Sequence, residues 1–262
     1  MAKLLIMVGL LAALTGCSTS KPAASVRRFP NPAELKSFRY SLPESELLSI
    51  VDRMLRTAQS VPDMGQDMKV LYTDRGMSHV DSLIPYRAHL TEEPEDQNNH
   101  NKWTFVDGRV RKIEQVWNGT RWLWQRIWHD ETSLPVLTIM YRQDGTPGSY
   151  MWGEYERGKI ERVLQFHPGP KLVHVHVFDY SDLGLVRNKY HFSGLTGDLL
   201  YAHFDVHGVR YQYTAKTGKM SQWSGRANEP WYDRQPSLAE YGLAPLYPEP
   251  RPQNKRIDDD SE

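Results

Sequence analysis

Hydrophobic and polar positions change rhythm along the chain, and each change marks out a segment. Leu4 to Leu14 is an almost unbroken apolar run behind one cation, Lys3. It is too short to cross a bilayer as a permanent helix and has the layout of a secretory signal. Further on, Leu47, Ile50, Val51, Met54 and Leu55 recur at i, i+3, i+4, i+7 and i+8, with Glu46, Asp52, Arg53 and Arg56 between them. This spacing predicts one N-terminal amphipathic helix over about Ser41 to Ala58, opened by a capping box of Ser41 and Glu44. Its apolar stripe is expected to pack on the protein's own sheet, with a grip on a partner or a membrane as the other use. A short strand is expected around Lys69 to Thr73, and Glu92 to Lys102 reads as a polar surface loop.

From Trp103 to Trp223 the rhythm becomes regular. Turn signals stand at Asp107-Gly108, Asn118-Gly119, Asp144-Gly145, Arg157-Gly158, Pro168-Gly169, Asp182 to Gly184, Gly194 to Gly197, His207-Gly208 and Thr217-Gly218, roughly a dozen residues apart. Between them the residues alternate. Val173, Val175 and Val177 oppose Leu172, His174 and His176, while Ala202, Phe204 and Val206 oppose Tyr201, His203 and Asp205. Parallel strands would need long crossovers, and no helical pattern fills these gaps. The fold class is therefore mainly β: an antiparallel meander, either an open twisted sheet or a closed barrel, with one apolar face and one of aromatic and hydrogen-bonding groups.

The chain thus divides into a signal peptide (1–16), a tether (17–40), a helix and loop region (41–102), a meander domain (103–246) and a tail (247–262). The tail is rich in Pro, Arg and Asp, ends near Asp258-Asp259-Asp260, and offers little to bury, so disorder is expected. Lys plus Arg equals Asp plus Glu at 32 each. That balance leaves no overall field to draw nucleic acid to the surface. With one cysteine in 262 residues, no internal disulfide can form.

The position of that cysteine carries a resemblance. Leu14-Thr15-Gly16-Cys17 closely resembles the bacterial lipobox, in which cleavage precedes a cysteine whose thiol receives diacylglycerol. The resemblance implies a lipoprotein held on a membrane through acyl chains on Cys17. One such chain binds weakly and several bind firmly, at about 0.8 kcal/mol per buried methylene. Ser18, where an aspartate would imply inner-membrane retention, implies the outer membrane, with the folded part facing the periplasm. A second, looser resemblance is to tyrosine-aspartate and MORN-like hairpin repeats. It rests on Tyr211-Gln212-Tyr213 with Gly218-Lys219-Met220, Phe178-Asp179-Tyr180 with Gly184-Leu185-Val186, and Phe105 to Val110. Such repeats form meanders in bacterial toxin shells and toxin-neutralising proteins.

Two clusters have candidate chemistry. His174 and His176 lie two apart in one strand, as do His203 and Asp205 in another, so adjacent strands could bring them around a divalent metal; solvated or sheet-packed histidines are the alternative. Trp122, Trp124 and Trp128, with Arg126, stand at strand spacing and are expected on one face, where they could stack sugars, receive a partner loop or pack as core. No serine elbow, zinc-protease helix, phosphate loop or free cysteine nucleophile is present, so no enzyme and no cofactor is expected. The expected function is a non-catalytic, outer-membrane-anchored protein-binding module, such as a toxin-neutralising or envelope-assembly factor. A lipocalin-like carrier of an apolar ligand is second and a glycan-active envelope enzyme third.

Overall fold

A computed structural model describes residues 31–60, 67–73, 91–180, 186–206 and 209–222. The signal peptide, Cys17, the 247–262 tail and the turns at Asp182 to Gly184 and His207-Gly208 lie outside the described residues, as does the side chain of Asp205.

Twelve strands form one sheet: β1 (Met68–Thr73), β2 (His100–Val106), β3 (Arg109–Trp117), β4 (Thr120–His129), β5 (Pro135–Tyr141), β6 (Pro147–Glu156), β7 (Lys159–His167), β8 (Lys171–Tyr180), β9 (Val186–Ser193), β10 (Leu199–Val206), β11 (Val209–Thr214) and β12 (Lys219–Gln222). Their spatial order is their order in sequence, and every pairing is antiparallel. The meander is open, with β1 and β12 at its two ends.

Two-residue hairpins set the register. Asp107 and Gly108 have φ of 49° and 73°, Asn118 and Gly119 48° and 69°, and Arg157 and Gly158 52° and 76°. Positive φ at both central positions is the primed turn whose twist matches that of the flanking strands. The β4–β5 connection carries no glycine. There the Asp130 carboxylate closes the loop, accepting from the Thr132 and Leu134 amides at 2.9 Å and the Thr132 hydroxyl at 2.8 Å.

Among the described residues two helices, α1 (Pro32–Lys36) and α2 (Glu44–Gln59), cover one face. Leu137, Trp152, Leu164, Val175, Phe192 and Leu199 pair in one row across six strands, and all are buried in one core with Ile50 and Met54 of α2. Arg162 of β7 ties the layers together, donating to Glu46 of α2, to Glu154 of β6 and, at 2.7 Å, to the Tyr40 hydroxyl.

Several boundaries differ from the sequence expectation. The helix starts at Glu44 behind Pro43, with no side-chain cap, so Ser41 and Glu44 form no capping box. A residue preceding proline is disfavoured in helical conformation, which moves the start beyond Pro43. Leu55 is 39% exposed rather than on the buried stripe, and Leu48 is 62% exposed. The expected tether of 17–40 gives way to packed structure by Asn31: Asn31 caps α1, Leu35 is fully buried, and the Tyr40 amide donates to the Gly197 carbonyl at 2.9 Å. The sheet also begins before Trp103, because β1 pairs with β2 from Thr73↔Asn101 to Met68↔Val106. Part of the expected loop is therefore strand, and Asn101 is buried.

One face assignment changes as well. Gln165 pairs with His174 and Phe166 with Leu172, which leaves Val173 as the extra residue of a bulge. Leu172 consequently joins Val175 in the helix-side core instead of sharing a face with His174 and His176.

Candidate functional site

The expected tryptophan stripe is divided by a second bulge. Gln115 pairs with Leu123 and Val116 with Arg121, so Trp122 is the residue without a cross-strand partner. An extra residue re-aims a side chain and resets the alternation beyond it. Trp124, Arg126 and Trp128 keep the face shared with Tyr141, Ile139 and Leu137, their partners on β5. Trp128 is 4% exposed, belongs to the core, and donates its indole N–H to the Ser60 carbonyl at 2.7 Å. Trp124 lies flat against Tyr141, with ring centroids 4.0 Å apart and planes within 8°. The cations of Lys112, Arg121 and Arg126 stand 5.3 to 5.7 Å from its ring centroid. A ring stacked and ringed by cations in this way is held as structure.

Trp122 is instead 58% exposed, and Trp117, at the other side of the Asn118-Gly119 turn, is 62% exposed. Both line an open cleft of about 440 Å³ with Asn99, His100, Asn101, Gln115 and Val116. Asn101, Gln115 and Trp117 alternate onto the sheet face opposite Trp124, since Gln115 pairs with Leu123 while Glu114 pairs with Trp124. The polar wall is itself fixed. The Asn99 carboxamide accepts from the Asn118 amide at 3.1 Å and donates to Asp96 at 2.9 Å. His100 lies 3.0 Å from the Asp96 carbonyl, edge-on to Tyr72. Among the described residues, no Asp, Glu, Lys or Arg lines the cleft. Trp117 was not among the expected site residues; a tryptophan directly before an Asn-Gly turn and another shortly after it were the available signal.

The histidines gather on that same opposite face. His176 pairs with His191 and His191 with Tyr201, in register across β8, β9 and β10. His191 has its ring centroid 4.2 Å from His176, 4.6 Å from His174 and 4.2 Å from Tyr201, and His203 is 5.3 Å from Tyr201. His174 and His176 on β8 and His203 on β10 do not lie on adjacent strands: β9 runs between them, and its His191, which spacing alone did not single out, meets His174 and His176 directly and reaches His203 only by way of Tyr201. Asp205 lies on β10 with its side chain outside the described residues. Among the described residues no three His, Cys, Asp or Glu side chains converge on a point that could hold a metal ion. Burial drives the His191 imidazole down to about 3, helped by the charges of His174, Lys189 and His203, and lowers His176 well below the ordinary histidine range. At neutral pH the buried rings of His176 and His191 are therefore uncharged.

Among the described residues no helix is long and apolar enough to cross a membrane. No family model matches the chain, and no curated protein matches it. Among solved structures, a GtfA/B complex bound to UDP and GlcNAc is 12% identical over 72% of this chain and 39% of that one, at a TM-score of 0.22. A Photorhabdus luminescens Tc holotoxin pore is 12% identical over 51% of this chain and 9% of that one, at 0.17. The chain spans less than half of either structure, and at these scores neither likeness carries an argument.

Proposed function

We propose that the protein is a non-catalytic binding module of the bacterial envelope, lipid-anchored through Cys17 to the outer membrane and facing the periplasm. The observation that carries this reading is the pair of indoles, Trp117 and Trp122, exposed at 62% and 58% in one cleft. Large aromatics exposed in one cleft leave apolar area uncovered, and such residues serve as binding anchors. The cleft's place on a two-residue hairpin within a twelve-stranded sheet gives it a rigid support, which lowers the cost of ordering on binding. Among the described residues its walls carry no carboxylate, lysine or arginine, which suits holding a ligand better than acid–base chemistry. The occupant is part of another envelope macromolecule sharing the compartment.

A protein partner, as in toxin neutralisation or envelope assembly, is a second reading, favoured by the prominence of tryptophan among interface anchors. Carriage of an apolar ligand inside a closed barrel finds less support in a meander that is open. The test is a photo-reactive amino acid placed at position 117 in the full chain, in living cells. The binding reading expects an adduct from position 117 and none from position 195, where Leu195 is equally exposed at 64%. Identical behaviour at the two positions would reject it.

A further inference from the structure

We infer that the Trp117–Trp122 cleft takes an uncharged pyranose ring, so that the macromolecule bound is a neutral glycan. This rests on the reading of the cleft as the binding site and names the chemistry that fits it. Two features of the lining select the ligand. First, its apolar lining is mainly aromatic: Trp117 and Trp122 supply two indoles, with Val116 the one aliphatic side chain among the described lining residues. An indole face is an extended, electron-rich plane that suits the slightly positive C–H face of a sugar ring better than a branched alkyl chain, which packs better into a pocket of its own shape.

Second, the polar lining is amide and imidazole. Asn99 sets a carboxamide at the cleft, a planar group with both N–H donors and a carbonyl acceptor, and His100 an imidazole; Asn101, which is buried, and Gln115 also line it and are already engaged within the protein. A vicinal pair of hydroxyls presents the complementary set, a donor beside an acceptor. In a chain with 24% charged residues, no Asp, Glu, Lys or Arg stands among the described lining residues, which argues against a phosphorylated or acidic ligand, since such a ligand needs cations for pairing. The bonds from Asn99 to Asn118 and Asp96 orient its amide before any ligand arrives. A cleft of about 440 Å³ falls in the size range of small-ligand sites, and its open shape leaves room for a chain to continue past one bound residue.

The experiment titrates the full chain, purified in a zwitterionic detergent without a sugar headgroup, with maltohexaose, cellohexaose and chitohexaose by calorimetry. Oligogalacturonate of the same length is the charged comparison. At least one neutral oligomer is expected to bind with a dissociation constant on the order of 0.1 mM, and the charged one at least tenfold more weakly. Trp117→Ala and Trp122→Ala should each weaken binding about tenfold or more, while Leu195→Ser leaves it unchanged; both indoles are exposed, so melting temperature should hold. Binding that survives both tryptophan changes would overturn the assignment. No binding to any sugar, with position 117 cross-linking to a protein in cells, would overturn the glycan and leave the binding reading standing. No sugar binding and no cross-link would overturn both.

Discussion

His176 and His191 face each other in register across β8 and β9, ring centroids 4.2 Å apart, and among the described residues neither ring has a hydrogen-bond partner at either nitrogen. Both are buried, at 2% and 7% exposure. Water would satisfy those nitrogens in the unfolded chain, so the pair keeps its place at a cost offset by the packing around it.

Acid sensitivity follows. In the fold His191 is lowered to about 3 by burial, with His174, Lys189 and His203 adding to the effect, and His129 to about 3 by burial beside Arg111 and Arg109. An unfolded histidine takes its proton near 6.5. Between these values the unfolded chain binds more protons, so stability is complete above about 6.5 and declines as pH falls toward 3. Each such histidine should contribute a slope of about 1.4 kcal/mol per pH unit. Urea unfolding at pH 7, 6 and 5 measures it. His191→Gln should flatten the profile, and a profile already flat for the natural chain would contradict the depressed values.

Trp128→Ala is expected to cost about 3–5 kcal/mol, because it empties a core position and removes the bond that holds the Ser60 carbonyl at the end of α2. Thermal melting of the two proteins gives the comparison. Trp122→Ala, at an exposed position, should change stability by less than about 0.5 kcal/mol. Equal losses for the two would mean that the bulge at Trp122 does not separate them.

Gly197 tests the seam between the N-terminal segment and the sheet. It has φ of +72°, and a Cβ there would stand 2.3 Å from the Tyr40 carbonyl oxygen. Gly145 and Gly218 also have positive φ, but open space surrounds them. Replacement by alanine should cost about 1 kcal/mol at the latter two, from backbone conformation alone. At Gly197 the loss should be larger, with new proteolytic access around Tyr40. A loss no larger than at Gly145 would place Tyr40 away from this turn.

Lipid attachment makes a separate prediction. Cys17→Ala should abolish incorporation of a fatty-acid analogue and release the protein from the membrane fraction, since the thioether needs that sulfur. Undiminished labelling of the variant would exclude Cys17 as the lipidated residue.

The meander was legible because its signals are local. Gly after Asp, Asn or Arg demands a primed turn, and period-two alternation from one turn to the next specifies a strand. What escaped was whatever shifts a register without altering composition. The bulges at Val173 and Trp122 each insert one residue, and one residue moves a side chain to the other face. Leu172 and the tryptophan stripe were misassigned for that reason. α1 is a single turn and a half, too short for periodicity to register, and its burial depends on Leu35 meeting a core assembled from distant strands. His191 gained importance only through its partners on β8 and β10, and Trp117 through the closeness of β2.

The central claim, that the Trp117–Trp122 cleft is occupied in the envelope, is tested most directly by hydroxyl-radical footprinting of intact cells against the purified full chain, with oxidation read at each tryptophan. Trp117 and Trp122 should react readily in the purified protein, and Trp128 and Trp103, buried at 4% and 2%, should react little in either state. In cells, Trp117 and Trp122 should be protected together by several-fold while exposed Leu195 keeps its rate. Equal oxidation of both indoles in cells and in the purified chain would contradict it.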